Sequence, residues 1–405
     1  MSARIVLGVG GGIAAYKSCE LLRRFQASGH DVTVIPTKSS LEFIGSSTWE
    51  ALSGKPVTTE VFDSVHEVPH VKLGQEADLF VIAPATANLI AKLAHGLADD
   101  LLTNSVLMAQ CPILVVPAMH TEMWLNPATQ ANVQTLRDRG IRVVDPDVGR
   151  LTGPDSGPGR LPEPQAIEIA AQVLVDGYLP DLDLHGKRVL VTGGGTRESI
   201  DPVRDIGNRS SGKQAWAIAS AASVYGAKTT VIAANVELPS PVGSTVINVK
   251  SALEMADAVD EQLGEADVLV MCAAVADFRP KAPADVKIKK TSDDFVPAPI
   301  ELERNPDILA AVGARPEADR PLLVGFAAET VTDEAQLIEY GLGKLTKKGA
   351  DFLVANPVGK DQTFGEDSNS GLVLGPEGIV DRVEKTSKAG LANALFAACR
   401  EKLSS

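Results

Sequence analysis

Apolar residues in this chain fall in short, nearly continuous runs separated by amphipathic stretches. In the first half the runs are Arg4–Val9, Asp31–Pro36, Asp78–Pro84, Ile113–Ala118 and Ile141–Asp145. Runs of this length without polar alternation fit parallel strands covered on both faces. Helical spacing lies between them, at Ile13–Ser28, Ala87–His95, Asp99–Ala109 and Pro127–Arg139. The second half repeats the alternation, with strands at Arg188–Thr192, Lys228–Ala233, Val246–Val249, Asp267–Ala273, Leu322–Ala328 and Asp351–Ala355. Gly371–Leu374 and Gly378–Val383, around "GPEG", read as a hairpin. The pattern predicts an α/β protein of two doubly wound, Rossmann-like three-layer domains, at residues 1–180 and 186–405. "GYLPDLDLHGK" (Gly177–Lys187) reads as the linker, and Gln165–Asp176 as a helix before it. From Asp147 to Pro164 glycine and proline dominate and no period is visible, the texture of a functional flap or a disordered stretch.

Length agrees with this division, since 405 residues suit two cores of about 200 residues each. The net charge of −14 leaves no broad basic face, which excludes general binding to nucleic acid or anionic membranes. Cys19, Cys111, Cys272 and Cys399 show no C-x-x-C spacing and read as reduced, buried thiols of a cytoplasmic protein. The start "MSARIVLGVGGG" enters a strand directly, unlike a signal peptide. No apolar run approaches the roughly 18 residues of a membrane helix.

Each half opens with a strand running into a glycine triplet, Gly10–Gly12 and Gly193–Gly195, with a helix expected next. Such a turn presents backbone N–H groups and a positive helix end to an anion. A dinucleotide fold also needs an acid at the end of its second strand to hold a ribose diol. Thr37, Lys38, Ser39 and Ser40 stand there in the first half, and "TTVIAAN" in the second, so a phosphate is favoured over a diol. "GNRSSGKQ" (Gly207–Gln214) approaches a P-loop, but Gln214 replaces the metal-binding hydroxyl and the segment does not directly follow a predicted strand.

Longer strings carry more. "GGIAAYK", "VPH", "APATANLIAKLAHGLADDLL", "PAMHTEMW" and "GPGR" resemble the homo-oligomeric, flavin-containing cysteine decarboxylases. "GGTRESIDPVRDIGNRSSGK", "CAAVADFRP", "KIKK", "NPDIL" and "GFAAET" resemble phosphopantothenate–cysteine ligase. Their order resembles the bacterial bifunctional phosphopantothenoylcysteine decarboxylase/phosphopantothenate–cysteine ligase of coenzyme A synthesis, over nearly the whole chain. The resemblance implies a flavodoxin-like N-terminal domain, a ligase domain behind it, and two activities in sequence. Decarboxylation beside an amide nitrogen needs an electron sink, and FMN supplies one. In the family, oxidation of the thiol to a thioaldehyde lets CO₂ leave, and the electrons are then returned.

By resemblance, Gly11, Gly12, Ser39, Thr86 and Asn88 hold FMN and Ala118 lies near its ring; Thr86 and Asn88 also suit a helix cap. His70 matches the catalytic histidine. His120 stands where the family usually has an asparagine on the substrate carboxylate, and can itself donate a hydrogen bond. Thr152 occupies the place of the flap cysteine that completes the final reduction, with Gly159 and Arg160 in the same flap. A threonine hydroxyl is a poor proton donor, so another group or a water is expected to protonate the enethiol. Met119, Met123 and Trp124 fit either core or site.

In the second half the resemblance implies CTP as co-substrate with Mg²⁺. Ala273, Ala274, Val275, Asp277, Lys287, Asn305, Pro306, Asp307, Ile308, Phe326, Lys344 and Lys348 surround the nucleotide, and Asp277 is the candidate magnesium ligand. Asn208 lies at the acyl-cytidylate, with Arg204 assisting. Lys344 and Lys348 are four apart and share a helix face, a repulsive arrangement unless an anion lies between them. The implied partners are 4'-phosphopantothenate, L-cysteine and CTP. The implied assembly is a homo-oligomer, a dodecamer built from decarboxylase trimers and ligase dimers. Two alternatives stay open at this point: a tandem NAD(P) oxidoreductase, and a flavin-binding regulatory protein with an inactive N-terminal half.

Overall fold

The computed structural model describes residues 2–59, 69–151, 155–289, 299–331, 333–357 and 367–403, with the side chains of residues 69 and 70 excepted. The chain divides into two compact units. One is Met1–Asp183 with the short segments Ser223–Gly226 and Pro239–Gly243; the other is the remainder.

The N-terminal unit holds strands β1 (Arg4–Val9), β2 (Asp31–Pro36), β3 (Leu79–Ala85), β4 (Ile113–Pro117) and β5 (Arg142–Val143). They form one parallel sheet in the order β2-β1-β3-β4-β5. This is the flavodoxin-like order, whose ligand-binding crevice lies where the winding reverses, between β1 and β3. Helices α1 (Ala15–Ala27), α2 (Ser46–Ser53), α3 (Pro69–Glu76), α4 (Ala87–His95), α5 (Leu101–Met108), α6 (Thr121–Trp124), α7 (Pro127–Asp138) and α8 (Pro164–Val175) connect and cover the strands. Phe80, Ile82, Leu89, Leu102, Val115 and Leu136 pack as one core. Trp124 belongs to it, with Met119 packed against it. The flap is an antiparallel hairpin, β6 (Asp147–Arg150) with β7 (Ser156–Arg160), neither shapeless nor disordered in its described part.

The C-terminal unit holds β8 (Arg188–Gly194), β9 (Arg197–Asp201), β10 (Arg204–Gly207), β11 (Lys228–Ala234), β12 (Ser244–Val249), β13 (Val268–Met271), β14 (Phe278–Pro280), β15 (Leu302–Arg304), β16 (Leu322–Glu329), β17 (Phe352–Pro357), β18 (Ser368–Gly375) and β19 (Gly378–Ser387). The main sheet runs β12-β11-β8-β13-β16-β17-β18-β19. Its first six strands are parallel in Rossmann order, and β18 and β19 extend the edge as an antiparallel pair. Helices α9 (Lys213–Val224), α10 (Ala252–Leu263), α11 (Ile308–Gly313), α12 (Glu334–Lys348) and α13 (Lys388–Leu403) complete it. The fold class read from the pattern is the observed one.

Three expectations are corrected. The second glycine triplet does not lead straight into a helix: the hairpin β9–β10 intervenes, and α9 begins only at Lys213. "GNRSSGKQ" therefore does follow a strand, β10, though one outside the main sheet. Gln214 is engaged structurally, donating to Lys388 O (3.0 Å) and accepting from Asn369 (3.2 Å). Of the four free thiols only Cys399 is fully buried. Burial still pushes Cys111 up to about 11 and Cys272 and Cys399 up to about 12, so these three thiols stay protonated. Among the described residues no helix is long and apolar enough to cross a membrane.

Candidate active sites

In the N-terminal unit three chain segments meet at the ends of β1, β2 and β3. The Gly10 amide donates to Pro84 O at 2.9 Å, and the Thr37 amide to Val9 O at 2.9 Å. The approach is too close for side chains: a Cβ on Gly10 would lie 2.5 Å from Pro84 O, and one on Gly11 2.2 Å from Ser39 Oγ. Thr86 caps α4, accepting from the Leu89 amide at 3.3 Å. A cavity of about 580 Å³ opens over this junction, within the usual range for small-molecule sites. Its walls include Gly11, Gly12, Ser39, Thr86, Asn88 and Ala118. Met119, His120, Met123, Arg150, Gly159 and Arg160 close the other side.

A second cavity of about 350 Å³ shares Gly11, Ser39, Thr86 and Asn88 with the first and adds Lys38 and Lys92 together with Glu42 and Asp100. Lys92 is held by Asp99 at 2.7 Å. Bare glycine backbone and the hydroxyls of Ser39 and Thr86, with Ala118 and two methionines also in the wall, fit a ligand with an anionic tail and a flat apolar body. FMN is such a ligand.

The flap docks on this cavity through glycines. The Met119 amide donates to Gly159 O at 2.9 Å, and Gly159 has φ +143°. A Cβ there would lie 2.1 Å from Met119 O, and one on Gly157 2.4 Å from Thr121 Oγ1. At the flap root, Lys17 is buried on the apolar face of α1 and donates to Leu161 O (3.1 Å) and Glu163 Oε1 (3.0 Å). Arg160 also pairs with Glu163. Asp147 faces Arg160 across the hairpin. Burial pushes its carboxyl up to about 6, against the pull of Arg160 and Lys17. His120 begins α6 without spending its side chain on a cap, and it lines the cavity. Met123 also faces the cavity, whereas Trp124 is core. Pro69 and His70 open α3, but the His70 side chain lies outside the described residues, as does Thr152.

In the C-terminal unit the end of β8 meets the loop after β13. The Ala274 amide donates to Gly194 O (2.8 Å), and its carbonyl accepts from the Thr196 amide (3.3 Å). The Ala273 amide donates to Thr192 Oγ1 (3.3 Å), and the Ala276 amide to Thr196 Oγ1 (2.9 Å). Asn208 donates from Nδ2 to Val275 O at 3.1 Å, so it sits on the same loop. Asn305 ties in from the other side, donating to Ala276 O (2.8 Å), and its amide donates to Asp277 O (2.9 Å). Asp277 and Lys287 are exposed, Phe326 is half-buried in β16, and Pro306 lies in the turn before Ile308, the buried first residue of α11.

Lys344 and Lys348 each pair with a carboxylate of the protein's own. Lys344 Nζ lies 2.6 Å from Glu329 Oε1, and Lys348 pairs with Asp307. Asp307 uses its other oxygen to cap α11 through the Ala310 amide (3.1 Å). Burial acts against its charge, but the hydrogen bond from Lys348 and that amide hold its carboxyl below the ordinary value. Arg204 is bound by Asp201 and donates to Ile288 O at 3.0 Å. No contact joins it to Asn208 among the described hydrogen bonds. Among the described residues no three His, Cys, Asp or Glu side chains form a metal cage.

Residues 1–173 match the Flavoprotein family, and residues 184–403 match the DNA/pantothenate metabolism flavoprotein C-terminal domain. The coenzyme A biosynthesis bifunctional protein CoaBC of Mycolicibacterium smegmatis is 52% identical over 404 residues, covering 98% of this chain and 97% of the relative. The chain belongs to the bifunctional coenzyme A biosynthesis family. The CoaBC protein of Vibrio vulnificus strain YJ016 is 44% identical over 378 residues, covering 93% of this chain and 92% of the relative. The crystal structure of the C-terminal domain of a CoaBC protein is 36% identical, covers 54% of this chain and 97% of its own, and gives a TM-score of 0.45. Reading this bifunctional sequence alone passes over Lys17, Asp201 and Glu329. For Lys17 a signal existed: it falls on the same face of α1 as Leu21 and Phe25, where a lysine must find a buried partner.

Proposed function

We propose that residues 186–405 join 4'-phosphopantothenate to L-cysteine at the expense of CTP, and that residues 1–180 decarboxylate the product to 4'-phosphopantetheine with FMN. Near-full-length identity of 52% to a bifunctional coenzyme A biosynthesis protein is the observation that carries this reading.

In the decarboxylase step, bound FMN supplies a reversible two-electron sink. Gly11, Gly12, Ser39, Thr86 and Asn88 would hold its phosphate and ribityl end, and Ala118 and Met119 its ring. His70 serves as the base beside the substrate thiol, and His120 donates to the substrate carboxylate before it leaves as CO₂. The flap excludes water once Gly159 docks on Met119. Thr152 is chemically dispensable, and the returning proton comes from another group or from water.

In the ligase step the pantothenate carboxylate attacks the α-phosphate of CTP and pyrophosphate leaves. The cysteine amine then attacks the acyl carbon and CMP leaves. Lys287, Lys344 and Lys348 neutralise the phosphate charge; Asp277 would help hold Mg²⁺, which would supply further charge neutralisation there. Triphosphate must displace Glu329 and Asp307 from Lys344 and Lys348. Asn208 has two N–H donors; one holds Val275 O, and the other is left for the acyl oxygen as charge develops there. Such a donor is worth about 3 kcal/mol.

We further propose a homo-oligomer of decarboxylase trimers and ligase dimers. It is supported by exposed apolar side chains on both units, including Leu107 and Leu125, and Val286 and Leu302. Light scattering tests the assembly. The activity is tested by supplying phosphopantothenate, cysteine, CTP and Mg²⁺ to purified yellow protein and following CMP and CO₂. CMP without CO₂ removes the N-terminal assignment; neither product removes both.

A further inference from the structure

Asp201 ends β9 at the hairpin turn, and its side chain is 0% exposed. A carboxylate withdrawn from water needs full compensation. Asp201 has it, and its two oxygens divide the work. Oδ1 accepts from the Val203 amide (2.9 Å) and the Arg204 amide (3.0 Å), which closes the turn. Oδ2 serves neither the turn nor the ladder. It accepts from Arg204 Nε (3.0 Å), from Arg204 Nη2, and from the Ile288 amide (3.1 Å). Arg204 Nη2 in turn donates to Ile288 O at 3.0 Å.

Both backbone groups of Ile288 are thus gripped by one ion pair, the amide by Asp201 and the carbonyl by Arg204. Ile288 lies between Lys287 and Lys289 in a segment of exposed residues, 285–289. Among the described hydrogen bonds, the next one along this segment, from the Ala284 amide to Ile200 O, lies upstream. The guanidinium beside Asp201 holds its carboxyl well below the usual carboxylate range, so the grip persists through the neutral and mildly acidic range.

We infer that Asp201 is a positioning residue of the ligase step: through Oδ2 and Arg204 it clamps the Ile288 peptide and so fixes Lys287 against the nucleotide. The inference rests on the ligase reading above. It also assigns Arg204 a holding role, distinct from contact with the acyl group.

Asp201→Asn separates the two oxygens, because the amide oxygen can keep the turn while the NH₂ group cannot accept from Arg204 or Ile288. The expected result is a KM for CTP raised about 10- to 100-fold, as for a misplaced binding group, with a smaller change in KM for cysteine. In a Lys287→Ala background the same substitution should change KM for CTP less than about 2-fold, since contacts acting through one residue are not additive. Ser199→Ala is the control for hairpin integrity; it removes the cross-strand bond from Ser199 Oγ to Asp205 (3.0 Å) and touches neither Arg204 nor Ile288. It should leave KM for CTP unchanged. An unaltered KM for CTP in folded Asp201→Asn, or losses that multiply fully with Lys287→Ala, overturns the clamp. If Asp201→Asn does not fold, Arg204→Lys asks the same question from the half-exposed side: it keeps the charge but loses the fork, and a wild-type KM for CTP overturns the clamp there. Wild-type protein that makes no CMP overturns the ligase reading itself and the clamp with it; active wild type with an unaffected variant overturns the clamp alone.

Discussion

Gly159→Ala isolates flap docking from every other property of the N-terminal site. A Cβ at this position would lie 2.1 Å from Met119 O, about 1 Å inside any tolerated carbon–oxygen contact. The obstacle is backbone, so no rotamer change relieves it. Docking then loses the bond from the Met119 amide to Gly159 O, worth about 1 kcal/mol net. It also places alanine at φ +143°, at a cost of about 1–3 kcal/mol. Together these disfavour the docked flap by about 2–4 kcal/mol, or about 30- to 700-fold in its population. Global stability should change little, because the flap can detach without opening the core.

The assay is CO₂ release from synthetic 4'-phosphopantothenoylcysteine, with flavin content read by absorbance. Flavin should stay bound, since Gly11, Ser39 and Thr86 are untouched, while turnover falls by at least about 30-fold. Gly149→Ala, on the facing strand of the same hairpin, is the control: its Cβ would meet only the Arg160 side chain, at 3.6 Å. Wild-type turnover in folded, flavin-loaded Gly159→Ala would refute the view that flap docking on Met119 is required.

Thr86→Ala should cost about 1 kcal/mol in stability through the lost α4 cap, and weaken FMN binding in titrations, while Thr86→Ser retains both. Asp147 binds its proton more tightly folded, at about 6, than unfolded, so the native state loses stability as pH rises from about 4 to about 6 and none thereafter. Asp147→Asn should remove that slope and stabilise the flap root at pH 7 by up to about 3 kcal/mol, measurable by hydrogen exchange of residues 147–160. Asp351 behaves oppositely. Burial works against its charge, but hydrogen bonds from Arg320 (2.5 Å), the Leu323 amide (2.8 Å) and Lys402 (3.0 Å) outweigh it and lower its pKa. Its stabilisation is therefore complete above the unfolded value near 3.9 and lost as pH falls through the lower folded one. Asp351→Asn should destabilise the full-length protein by about 3–5 kcal/mol at pH 7, by stranding buried Arg320, and flatten the thermal-unfolding profile at acid pH.

The parallel strands were legible because they are buried on both faces and so read as apolar runs; β1 and β2 have the very limits expected from the pattern. The small hairpins were not. β9 and β10 read "RESID" and "RDIG", largely polar even where Glu198 and Asp201 are buried, and pair with each other outside the main sheet. The flap hides for a related reason: its glycines and prolines suppress any period, and its strand character comes from pairing β6 with β7 and docking on Met119. Among the candidate site residues, Gly11, Ser39 and Thr86 follow the ends of β1, β2 and β3, places legible in the pattern of apolar runs. Asp201 and Glu329 act through partners 87 and 15 residues away, namely Ile288 and Lys344, and leave no local trace; Lys17, whose partner Glu163 is 146 residues away, is betrayed only by its place on the apolar face of α1.

The two glycine triplets look alike in sequence and solve different problems. In the first triplet the missing Cβ atoms of Gly10 and Gly11 make room for Pro84 O and Ser39 Oγ, and α1 begins three residues beyond Gly12, where a Cβ would meet nothing nearer than Thr86 Cγ2 at 3.7 Å. At the second triplet the missing Cβ atoms make room for the protein's own backbone. A Cβ on Gly194, at φ +82°, would lie 2.0 Å from Ala234 O, and one on Gly195 would lie 2.5 Å from Asn208 O. Gly195 thus lets the 208 loop rest on the end of β8, within reach of Val275, before α9 starts. The first triplet lines a cavity; the second places an amide. An alanine at 11 should consequently cost flavin affinity, whereas an alanine at 195 should leave nucleotide affinity largely intact and lower the ligase turnover number, because it displaces Asn208 from the acyl group and not the lysines from the phosphates.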